Sequence, residues 1–154
     1  MPQNLKQKPR FIPPVYFFLF LFLMIVLHFI LPVKILFHAP GSYAGFLLLA
    51  AGAALALWAR LLFRIRNIPV RPGEELKDLE LSGPYRFTRN PMYLGMTLIL
   101  LGGSVALGSL TSFLGPIAFW SVINVIFIPF EERKLETTFG QRYLDFKNKV
   151  RRWL

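Results

Sequence analysis

Two short polar runs carry the residue types that chemistry needs. The first is Gly83-Pro84-Tyr85-Arg86-Phe87-Thr88-Arg89-Asn90-Pro91-Met92-Tyr93-Leu94-Gly95. Pro91 suits the first position of a helix. Asn90 suits the N-cap before it, where a side-chain oxygen can accept otherwise unpaired backbone N–H groups. Arg86, Arg89, Asn90 and Tyr93 then gather at a helix N-terminus, which can hold a carboxylate or a phosphate. The same residues also suit a capped helix anchored at a membrane interface, where Tyr and Arg are common. The second run is Glu131-Glu132-Arg133-Lys134-Leu135-Glu136, directly after the apolar Ile128-Pro129-Phe130. Paired acids at the edge of an apolar segment call for a cationic ligand or for basic partners, such as Arg or Lys of the 60–89 region. Leu135, Phe139, Tyr143 and Phe146 follow on one face of an amphipathic helix, with Gly140 as a break. That helix can lie on a membrane or fold over the site as a lid.

The elements that must position these runs are apolar. The chain has 154 residues, 55% of them hydrophobic, with a mean hydropathy of +0.49. Residues 11–33, 35–59 and 90–130 carry no charge. A membrane span needs about 20 mostly apolar residues, so the first two stretches fit one helix each and the third fits two. The expectation is an all-α polytopic membrane protein, a single domain over 1–154. Its helices fall at about 14–31, 43–63, 91–107 and 113–130, with a loop at 64–90 and a tail at 131–154. Gly108-Ser109-Leu110-Thr111-Ser112 reads as the tight turn between the last two helices. The first apolar run is too long for a secretory signal and lacks a nearby cleavage site, so it reads as a retained helix.

Net charge is +10, from 18 Lys and Arg against 8 Asp and Glu. Every Lys and Arg except Lys34 lies in the N-terminal tail, the 60–89 region or the C-terminal tail. By the positive-inside rule those segments, and both termini, face the cytoplasm. The basic excess thus reports orientation and affinity for anionic lipid rather than nucleic acid, for which no recognition pattern is present. There is no cysteine, and His28 and His38 stand far from further ligands, so no metal is expected. His28 reads as a packing residue. Gly45 and Gly52 share one helix face, as do Gly95 and Gly102; these faces permit close helix approach or make room for a ligand. Pro116 predicts a kink in the fourth helix, and Asn124 is an unpaired polar group expected to face another helix.

Arginines at a helix N-terminus and paired glutamates thus lie at one membrane level. A zwitterion with an added cation fits between them, and S-adenosylmethionine is such a molecule. The motifs Gly83-Pro84-Tyr85-Arg86, Arg89-Asn90-Pro91-Met92-Tyr93-Leu94-Gly95 and Glu131-Glu132…Leu135…Phe139-Gly140…Tyr143 resemble the isoprenylcysteine carboxyl methyltransferase family. Phospholipid N-methyltransferases belong to the same superfamily. The resemblance covers about residues 64–150. It implies an integral membrane methyltransferase that uses S-adenosylmethionine, releases S-adenosylhomocysteine and holds the cofactor under the C-terminal segment. It places Tyr85, Arg86, Arg89, Asn90, Pro91, Tyr93, Gly95, Glu131, Glu132 and Tyr143 at the cofactor, with Arg89, Tyr93, Glu131 and Glu132 as catalytic residues. Glu131 and Glu132 would meet the ammonium or sulfonium, Arg89 with Arg86 the carboxylate or an anionic acceptor, and Tyr93 would orient either. Asn90 replaces the family's histidine and cannot titrate. The expected acceptor is lipophilic or small, a carboxylate, sulfide or amine. Alternatives are an NADPH-dependent membrane reductase, although no Gly-rich dinucleotide fingerprint is present, and a non-catalytic scaffold.

Overall fold

A computed structural model describes residues 12–65, 79 and 81–154. Among the described residues the chain is helical, with no strand. Helix α1 spans Pro13–Ile30 and opens on Pro13-Pro14, where a missing N–H costs nothing. Helix α2 spans Ala44–Ile65 and α3 spans Pro91–Leu107. A further apolar helix comprises α4 (Leu114–Val122), a π turn (Ile123–Phe127) and α5 (Ile128–Phe139). Helix α6, Gln141–Lys149, follows.

Three helical segments are long and apolar enough to cross a membrane: Pro13–Ile30, Gly41–Ile65 and Leu110–Phe139. Helix α3 has 17 residues, about 25 Å of helix. That is a little short of a hydrocarbon core of about 30 Å. It is sheltered by neighbours on two sides. On one side α2 lies in backbone contact with it. A Cβ on Gly52 would stand 2.6 Å from the Gly95 carbonyl oxygen, and a Cβ on Gly102 would stand 2.6 Å from that of Gly45. The small-residue faces are therefore used for helix packing, and no ligand space opens between them. On the other side α1 and α4 close a core of Phe17, Met24, Leu100, Phe119, Ile123, Phe127 and Ile128.

The last apolar helix differs from expectation at two points. Pro116 lies buried in its first turn, and the helix continues through it. A proline so near a helix start removes no intrahelical bond. The departure from α geometry comes instead at Ile123–Phe127, just before Pro129, which cannot donate to the carbonyl four residues back. Nor does the helix stop at Phe130. It runs to Phe139, so Glu131 and Glu132 are helical residues. Gly140, at φ +54°, makes the break before α6 in a region that favours glycine.

The turn between α3 and α4 is polar and hydrogen-bonded. Gly108 ends α3 at φ +77°, and Ser104 and Ser112 exchange side chain-to-carbonyl bonds of 2.9 and 3.2 Å. His28 Nδ1 lies 2.9 Å from Ser109 Oγ, which ties α1 to this turn and gives His28 its packing role. Ser109→Ala should lower stability by about 1 kcal/mol. The check is a reduced melting temperature in detergent with unchanged helical content.

Candidate functional site

The polar groups collect where α3 begins and α5 emerges from the apolar layer. The 3-10 turn Gly83–Arg86 leads into α3. It buries Tyr85 against Phe63, ring centroids 5.4 Å apart, in a second core with Ala59, Leu79, Tyr143 and Phe146. Anchored this way, the chain presents Thr88, Arg89 and Asn90 at the head of α3. Asn90 does occupy the N-cap, and its carbonyl accepts the Leu94 N–H at 2.9 Å. Its side chain, however, makes no capping bond. Asn90 Nδ2 donates instead to the carbonyl of Arg152 at 2.9 Å.

Glu132 is the electrostatic centre. Arg152 forks onto it, with Nη2 at 2.8 Å from Oε2 and Nε at 3.3 Å from Oε1. Arg89 Nη1 stands 3.2 Å from Oε1, and Lys147 Nζ lies 3.9 Å from Oε2 while bonding Glu136 at 2.6 Å. The side chains of Arg89 and Glu132 are each only 9% exposed. A carboxylate so buried must be paired, and here it is paired several times over. Arg89 is less well served: its Nε and Nη1 are buried without an acceptor in hydrogen-bond geometry. Tyr143 lies against both partners. Burial pushes its hydroxyl up to about 12, the Glu132 carboxylate adds to the rise, and Arg89 opposes it. At neutral pH Tyr143 is therefore an uncharged phenol.

Glu131 goes elsewhere. Adjacent residues on a helix diverge by about 100°, and Glu131 receives the Tyr93 hydroxyl at Oε1, 2.5 Å away. Of the two readings of the paired acids, Glu132 follows the one with a basic partner from the 60–89 region. Arg89 touches Glu132 directly, and Glu131 forms a separate pair with Tyr93.

Arg89, Asn90, Glu132 and Tyr143 are brought together, with Tyr93 and Glu131 beside them. Pro91 is buried at the first turn of α3. Tyr85 is a core residue and Arg86 is exposed. Gly95 faces α2, where a Cβ would stand 2.8 Å from Ala56 Cβ, so its place is the helix contact. Thr88, Asn124, Lys147, Arg152 and Trp153 join the site unannounced. Thr88 Oγ1 donates to the Arg152 carbonyl at 3.1 Å. Asn124, expected to be unpaired, accepts from Trp153 Nε1 at 3.2 Å and Arg152 Nη1 at 3.4 Å. The basic run Arg151-Arg152-Trp153 reads as a topology signal, and its charge alone does not mark it out. The one hint was Asn124, a polar residue in an apolar helix, which asks for a partner. Among the described residues no group of His, Asp and Glu could hold a metal ion.

The sequence profile of the phospholipid methyltransferase family matches residues 41–142, about two-thirds of the chain. The chain belongs to that family. The match runs from the turn before α2 into α6, and so takes in Arg89, Tyr93, Glu131 and Glu132. The family is part of the integral membrane methyltransferase superfamily to which the loop and glutamate motifs pointed. Membership implies methyltransferase activity and, with the apolar helices, makes this an integral membrane protein. An uncharacterised protein of Haemophilus influenzae is 49% identical over 63 residues, 41% of this chain and the whole of that relative. No solved structure matches.

Proposed function

We propose that this chain is an S-adenosylmethionine-dependent methyltransferase acting on a lipophilic or small acceptor at the cytoplasmic membrane face. Four spans with both termini in the cytoplasm accompany this reading, α3 being the short fourth. The observation that carries it is the buried Arg89, whose Nε and Nη1 have no acceptor in hydrogen-bond geometry, one turn from the Tyr93–Glu131 pair. The cofactor has a carboxylate, an ammonium and a sulfonium, and the donor set fits. Arg89 has donors to spare for the carboxylate. Glu131, bound through Oε1 to Tyr93, has a second oxygen to offer a cationic group. Glu132 is committed to three cations, and its part is to hold Arg89 in place. Pro91 shapes the head of α3, and Tyr143 lines the arginine as an uncharged phenol whose oxygen accepts from Arg89.

When bound, the cofactor supplies an activated methyl group on sulfur. The protein contributes positioning and electrostatics. Arg89 fixes the anionic end of the ligand. Tyr93 orients the reacting groups through its hydroxyl. A carboxylate or sulfide acceptor requires no proton to be moved; for an amine acceptor, Glu131 takes the proton that must leave.

Titration of S-adenosylhomocysteine into folded protein in detergent tests the reading, with NADPH as the control ligand. Binding of the former supports it, and absence of binding at millimolar ligand overturns it. Glu131→Gln should lower labelled-methyl transfer to membrane lipids by about 10- to 100-fold, and Tyr93→Phe by about tenfold. Wild-type turnover in both variants would remove these residues from the site.

A further inference from the structure

Residues 151–153 cross the polar end of the bundle as an irregular strap that is bonded at every residue. The Arg151 carbonyl accepts the Arg89 N–H at 3.0 Å. The Arg152 carbonyl accepts both Asn90 Nδ2 at 2.9 Å and Thr88 Oγ1 at 3.1 Å. The Trp153 indole donates to Asn124 at 3.2 Å and lies 6.0 Å from the Trp120 ring. Two side chains at the head of α3 thus converge on one carbonyl, and the Asn90 side chain makes no capping bond of its own. What they seat is the residue whose guanidinium takes both oxygens of Glu132.

The consequence falls on Arg89. A carboxylate and a guanidinium left to themselves close into a two-point, parallel pair. Here Glu132 has both oxygens engaged by Arg152, so its contact with Arg89 at 3.2 Å is an ion pair without hydrogen-bond alignment, and Arg89 Nε and Nη1 keep no acceptor in hydrogen-bond geometry. We propose that Arg152, seated by Thr88 and Asn90, is a positioning residue: by occupying Glu132 it keeps that carboxylate from closing on Arg89, whose donors remain available to an anionic group of the ligand. The proposal rests on Arg89 as the holder of that group, in the reading above.

Removing Arg152 frees Glu132 to pair fully with Arg89. Arg152→Ala should therefore weaken S-adenosylhomocysteine binding roughly tenfold or more. It should raise KM for the methyl donor by the same factor and leave kcat within about twofold of wild type. Arg152→Lys, which can hold only one carboxylate oxygen, should restore part of the affinity. Asn90→Ala should show a smaller loss in the same direction. A purely structural role would lower kcat and folded yield together, without the KM split. The Nε–H resonance of Arg89 in the isotope-labelled full chain gives a readout that needs no ligand. It should shift in Arg152→Ala to a hydrogen-bonded position. An unmoved resonance, or Arg152→Ala binding as tightly as wild type, overturns the proposal. Should wild-type protein bind no S-adenosylhomocysteine while the resonance moves, the positioning role stands and the methyltransferase reading falls.

Discussion

Glu132→Ala should destabilise the folded protein by about 3–5 kcal/mol, the cost of leaving one member of a buried ion pair alone. Arg89 would keep its charge with the side chain 9% exposed, and Arg152 and Lys147 would crowd it without the carboxylate that now binds all three. Lys147 retains Glu136 at 2.6 Å, and Arg152 is one-third exposed, so most of the cost falls on Arg89. A lowered melting temperature and reduced folded yield in detergent are the expected observations. The double variant Glu132→Ala/Arg89→Ala makes the argument specific. It removes the stranded charge along with its partner and should recover part of the loss, measured as a coupling between the two sites. Additive losses would show that the pair contributes nothing through its charge.

Leucine at Gly52 or Gly95 should separate α2 from α3. At each position a Cβ alone would stand 2.6 Å from the other's carbonyl oxygen, and the obstacle is backbone, which has nowhere to move except apart. Overpacking of this kind costs about 3 kcal/mol at each site. In lipid little else draws the two helices together, since apolar tails solvate them as well as they solvate each other. The damage should reach the site, because α3 carries Arg89, Asn90 and Tyr93 at its head. Thermal melting and cofactor-analogue binding should both fall. Gly41→Ala is the control, since a Cβ there meets nothing within 4 Å. It should leave both unchanged.

The apolar helices were legible from charge placement because lipid imposes a simple rule. A segment without charges, of membrane length and free of loop punctuation, has one stable form. The head of α3 was legible for a local reason as well: Pro91 fits only the first turn, so Asn90 had to precede it. The use of Asn90 was not legible. Whether its side chain caps its own helix or bonds a carbonyl sixty-two positions on depends on what the fold brings near, and local residues carry no trace of that.

The same division runs through the candidate site. From composition, spacing and motif the sequence determined the membrane setting and the family, and it nominated Arg89, Tyr93, Glu131, Glu132 and Tyr143 as candidate residues, because each of these follows from residue type and short-range order. Only the tertiary structure decided how they pair. Two glutamates adjacent in sequence point about 100° apart once helical, so Glu131 went to Tyr93 and Glu132 to a cluster of cations. The strap at 151–153 decided the rest. Arg152 looks like any topology charge until chain closure sets its guanidinium on Glu132. Pairing of charges is a matter of distance in space, and those distances are set when helices far apart in sequence pack together.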